Sequence, residues 1–158
     1  MIKYSKYKKV LFCTDFSENA NYAFNFAYGV AKRDEGLLYI LHVIPDNPHK
    51  GYADGFLTAA DSEKIQRAIE EDLDNNYRER YTSKIKDSLK YKTVTKSGRE
   101  NEEIVEFARN EKVDIIVMGT HGKTGIERVF FGSVAEKVIR YSPYPVFVIP
   151  DRKKFERF

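Results

Sequence analysis

Five short apolar runs rich in β-branched residues, at 9–14, 37–43, 91–96, 113–118 and 144–149, alternate with longer amphipathic segments. That alternation is the pattern of a parallel sheet covered by helices. The second run is apolar nearly throughout, as a strand buried on both faces must be. After the first run, Asp15-Phe16-Ser17 offers polar side chains to cap a helix in which Ala20, Phe24, Ala27 and Ala31 recur at helical spacing, and Gly36 supplies its stop. Residues 45–58 hold Pro45, Pro48, Gly51 and Gly55 and predict a mobile loop. Ile65, Ile69, Leu73, Tyr77, Tyr81, Ile85 and Leu89 step by four through a charged segment and predict one long helix with an apolar stripe and a solvated face.

A helix opening at Asn101 carries Ile104, Val105, Phe107 and Ala108, and another follows Gly132-Ser133 with Val134, Ala135, Val138 and Ile139. Pro143 and Pro145 before the last strand and Pro150 after it place that strand at a sheet edge. Right-handed crossovers then give an α/β three-layer sandwich around a five-stranded, mostly parallel, doubly wound sheet. At 158 residues the chain makes a single domain, 1–158, with a charged tail at 151–158.

Composition narrows the function classes. With 42% hydrophobic and 32% charged residues the chain can bury a core. A net charge of +3 is too small to argue for a nucleic-acid partner, and no apolar run approaches the ~20 residues of a membrane span. No secretory leader is signalled, and the single Cys13 forms no intramolecular disulfide, so the cytoplasm is the expected location. Cys13 is expected to be a buried, inert filler.

In a doubly wound sheet ligands settle outside the carboxyl ends of the strands. The fourth strand runs into Gly119-Thr120-His121-Gly122-Lys123-Thr124-Gly125, and Gly132-Ser133 stands at a helix start. Glycines there either let backbone N–H groups approach a phosphate or merely turn the chain. Lys123 and Arg128 could neutralise an anion or could simply face water, and His121 and Glu127 have no orienting partner that would make either a base. His42 reads as a hydrogen-bonded core residue. Gly122-Lys123-Thr124 is not a Walker A end, because Val117 stands where the first glycine is required.

Taken together, Gly119, two residues, Gly122, nine residues and Gly132-Ser133 closely resemble the nucleotide-binding signature of the universal stress protein family. The resemblance extends through residues 8–18, Leu41-His42-Val43, residues 132–138 and residues 144–149, and covers roughly residues 6–150. It implies a Rossmann-like, adenine nucleotide alpha hydrolase-like domain that binds ATP, with Mg or Mn arriving on the phosphates. By position, Asp15 would contact the adenosine, the backbone of Val43 the adenine, and Met118 and Gly119 the ribose. Gly122, Gly132, Ser133 and Val134 would hold the phosphates. Cys13 departs from the family, in which proline often precedes Thr-Asp.

The resemblance also implies a homodimer through the last strand, Val146, Phe147, Val148 and Ile149, and no catalytic residue. The expected role is a nucleotide-dependent signalling module in a stress response. The alternatives are a slow ATP hydrolase, although the Ser-Gly-Gly-x-Asp-Ser loop of such enzymes is replaced by Asp15-Phe16-Ser17-Glu18, or a structural dimer without nucleotide.

Overall fold

The computed structural model describes residues 6–46, 58–86, 88–120 and 132–151. Five strands, β1 (Lys9–Thr14), β2 (Leu37–Pro45), β3 (Lys90–Gly98), β4 (Ile115–Gly119) and β5 (Val146–Ile149), form one sheet in the order β3-β2-β1-β4-β5. Every pairing is parallel. The helices are α1 (Glu18–Arg33), α2 (Ala59–Arg80), α3 (Glu100–Glu111) and α4 (Ser133–Tyr141). The order reverses at β1, which sends successive crossovers to opposite faces and leaves a crevice at the carboxyl ends of β1 and β4.

Alternate side chains of each strand serve different cores. Val10 and Phe12 of β1, Leu38 and Ile40 of β2 and Val117 of β4 pack under α1 and the end of α2, with Ala20, Phe24, Ala27, Tyr77 and Tyr81. Leu11, Cys13, Leu41, Val43, Ile116 and Met118 face the other way, onto Ile104 and Phe107 of α3 and Ala135 and Val138 of α4. The unbroken apolar runs in the sequence are the direct result. Each such fully buried aliphatic or aromatic side chain contributes about 1.5–3 kcal/mol.

The helix boundaries follow from local chemistry. Ser17 caps α1 by accepting from the Ala20 N–H at 3.2 Å. At its other end the left-handed residue is Glu35 (φ 50°), and Gly36 is needed for a different reason than a helix stop. A Cβ there would lie 2.7 Å from the Tyr7 carbonyl oxygen and 2.9 Å from that of Lys8. The Arg33 guanidinium and then the Tyr7 N–H hold the Asp34 carboxyl well below the usual carboxylate range, which ties the chain before β1 to the end of α1.

Three expectations change. Strand β2 runs on through Pro45, and Thr58 caps α2 in a reciprocal arrangement with Asp61, so both ends of the expected loop belong to regular elements; residues 47–57 lie outside the described residues. The long stripe does not make one helix. Helix α2 stops at Arg80, a 3-10 turn occupies Thr82–Lys84, and Ile85 and Leu89 follow separately. Only the far end of the stripe reaches the core: Tyr77 and Tyr81 are buried while Ile65 and Ile69 are exposed. The tail from 152 lies outside the described residues. Among the described residues no helix is long and apolar enough to cross a membrane.

Candidate functional site

A hollow of about 480 Å³ opens at the carboxyl ends of β1, β2 and β4, between the starts of α3 and α4. That volume is in the range of small-molecule sites. Its walls include Asp15, Val43, Met118, Gly119, Gly132, Ser133 and Val134, so every candidate binding residue from the sequence comes together here except Gly122, which lies outside the described residues with His121, Lys123, Glu127 and Arg128.

The two ends of the hollow differ in charge. At one, α4 follows Gly132, which has no side chain to cap it, and its first turn carries a single carboxylate, Glu136, bonded to Arg140. The first N–H groups of a helix have no partner within it and carry the positive end of its dipole. Gly132 sits at φ −68°, a conformation open to any residue, so the backbone itself does not demand glycine there. Its own N–H donates to the Thr120 carbonyl at 2.6 Å, and the Thr120 N–H donates to the Ile149 carbonyl at 3.0 Å. At the other end, α3 begins with Glu100, Glu102 and Glu103, carboxylates that already offset its dipole. Between the two lie the apolar groups of Leu41, Val43, Pro45, Ile104 and Met118.

The turn after β1 is held tightly. Phe16 adopts φ 61°, the left-handed region that a bulky side chain rarely enters. It is retained because its ring is buried against His42 (4.5 Å between centroids), Tyr77 (5.3 Å) and Tyr81 (6.1 Å). The polar groups beneath it form an ordered chain. The Phe16 N–H donates to Thr14 Oγ1, and Tyr81 Oη donates to Asn21 Oδ1. The Tyr81 proton being so used, Thr14 Oγ1 is the donor in its 2.5 Å bond to Tyr81. Asp15 Oδ1 accepts from the Ser17 N–H, which aims its carboxylate along the rim. Burial pushes the Tyr81 phenol and the Cys13 thiol up, so both stay protonated at neutral pH. Cys13 is buried, as expected, and lines the hollow.

Gly119 has a structural reason to be glycine. A Cβ there would lie 2.5 Å from Asn19 Oδ1 and 2.8 Å from its Cγ. The buried Asn19 amide donates to the Ile149 carbonyl at 3.2 Å and accepts from Thr120 Oγ1 at 3.4 Å, joining the start of α1 to the ends of β4 and β5. His42 is half-buried and hydrogen-bonded through Nδ1 to the Thr14 carbonyl, which fixes the proton on Nδ1, yet it also lines the hollow. Sequence reasoning missed that second position, and missed Glu100, Ile104 and Asn19. The ends of the β strands were the signal available for His42; Glu100 needed the crossover that brings the start of α3 beside β2.

The universal stress protein family model matches residues 6–150. The chain belongs to the universal stress protein family. A universal stress protein of Methanocaldococcus jannaschii, MJ0577, is 36% identical over 157 residues, covering 90% of this chain and 94% of the relative. The solved structure of MJ0577 superimposes with a TM-score of 0.75 at 33% identity, covering 94% of this chain and 99% of the other. Two more distant solved structures share the fold: a universal stress protein in complex with cAMP (TM-score 0.60, 21% identity, 92% and 98% covered) and one from Archaeoglobus fulgidus in complex with dAMP (0.55, 21%, 92% and 99%).

Proposed function

We propose that this universal stress protein is an ATP-binding module whose nucleotide occupies the hollow and changes what the surface offers a signalling partner in a stress response. The observation that carries the reading is the polarity of the hollow. A helix start whose one first-turn carboxylate, Glu136, is bonded to Arg140 stands at one end, a start with three carboxylates at the other, and an apolar wall between them. A nucleotide has the matching asymmetry, anionic at its tail and flat and apolar at its base. The phosphates go to Ser133 and Val134 at the start of α4, with Gly122 and Gly132 allowing close approach. Adenine lies against Val43, the ribose beside Met118 and Gly119, and Asp15 reaches the adenosine from the rim. The fold carries adenine nucleotides in the cAMP and dAMP complexes of its more distant relatives, which supports the same class of guest here.

Mg or Mn is proposed to enter bound to the triphosphate, because hard cations favour phosphate oxygens. We propose a cytoplasmic homodimer through β5. No side chain on the rim is assigned a catalytic step.

Release of small molecules from the denatured protein, followed by calorimetric titration of ATP into emptied protein, tests the reading. ATP binds wild type, and Gly132→Val weakens binding by more than tenfold with an unchanged melting temperature, since only the close approach of a phosphate demands glycine at that φ. Flat titrations with ATP, ADP and AMP overturn it and favour a structural dimer without nucleotide.

A further inference from the structure

The carboxylates at the start of α3 have different fates. Arg99 Nη1 bonds Glu102 Oε1 at 3.1 Å, on the exposed side of the helix. Glu103 lies over Gly98, where an added Cβ would come within 2.8 Å of its Oε1. Glu100 alone of the three lines the hollow, half-buried beside Pro45, Val43 and Ile104. Among the described residues no hydrogen bond or ion pair engages its carboxylate, and an ionised carboxylate is an acceptor only. It therefore lines the apolar end of the site with no protein donor among the described residues, while the start of α4 stands at the opposite end.

We propose that Glu100 is a specificity-determining residue whose carboxylate accepts a hydrogen bond from the exocyclic amino group of the base, selecting 6-amino over 6-oxo purine nucleotides. The inference rests on the nucleotide reading above and deepens it. Orientation follows from charge. A triphosphate placed at the start of α3 would meet the Glu100 carboxylate that lines the hollow, whereas the one first-turn carboxylate of α4, Glu136, is bonded to Arg140, so the tail lies at α4 and the base lies at Glu100. A 6-amino group donates to the carboxylate. A 6-oxo group in its place sets two acceptors face to face, and the N1–H that a 6-oxo purine carries instead lies on the ring edge given to the Val43 backbone; mismatched polar groups of this kind discriminate far more strongly than a lost apolar contact.

Titration of ATP and of inosine triphosphate, which carries a 6-oxo group and an N1–H in place of the 6-amino group and the bare N1, into the full-length protein reads the effect. Wild type favours ATP by tenfold or more. Glu100→Gln, whose amide both donates and accepts, brings the ratio to within about threefold of unity, and Glu100→Ala lowers ATP affinity while leaving inosine triphosphate affinity nearly unchanged. A wild-type ratio near one overturns the proposal, as does a ratio undiminished in Glu100→Gln while ATP still binds. Both of those outcomes leave the nucleotide reading standing. Failure of wild type to bind either nucleotide overturns the nucleotide reading itself and this inference with it.

Discussion

At Gly119 and Asn19 a single atom decides the packing. The Asn19 side chain fills the space a Cβ would need and spends its amide on the end of β5. Gly119→Ala is expected to cost about 1–3 kcal/mol through overpacking, read as a lower urea midpoint. The double variant with Asn19→Ala is expected to lose less than the sum of the singles, because the two share one contact. Tyr39 gives a second prediction at this scale. Burial first, and then its hydrogen bond to Glu111, pushes the phenol from its ordinary value of 10.0 up to about 12. The folded state thus keeps a proton that the unfolded chain gives up. The associated stability is fully present below pH 10 and is lost as pH rises towards 12, with Tyr77 and Tyr81 shifted in the same direction. Denaturation midpoints measured across that window are expected to fall, and Tyr39→Phe to flatten part of the fall.

Helix α2 separates what a periodic pattern means from what it buries. Every side chain from 62 to 72 is exposed, yet Tyr77, on the same stripe, is buried and donates its hydroxyl proton to the Val94 carbonyl at 2.6 Å. Ile69→Ala is expected to change stability by no more than about 0.5 kcal/mol, as at other surface positions. Tyr77→Ala is expected to cost about 3–5 kcal/mol, as for other buried aromatics. Thermal or chemical denaturation of the two variants checks the contrast. The sequence made the helix legible, because spacing by four is a local property. It could not show which end meets the sheet, because that depends on where β3 stops. The same limit explains the site. Gly132, Ser133 and Val43 were legible because glycine spacing and strand ends leave a mark along the chain. Glu100 and Asn19 were not, because their roles come from elements distant in sequence meeting in space.

For the molecule as a whole, the two open edges of the sheet are unlike. Strand β3 carries Lys90, Lys92 and Lys96, charges that discourage pairing with another chain, whereas β5 reads Val-Phe-Val-Ile with Phe147 exposed. The proposed dimer therefore uses β5. Phe147→Lys is expected to shift sedimentation from dimer to monomer, and a wild-type monomer at micromolar concentration would remove the proposal. The five-stranded α/β sheet agrees with the alternation read from the sequence, and its pairings are all parallel rather than mostly so. One bond of this frame reaches further. Because the Gly132 N–H rests on the Thr120 carbonyl, the scaffold fixes both attachment points of the intervening stretch on its own account. Whatever rests against the end of β4 is thereby registered against the start of α4 as well.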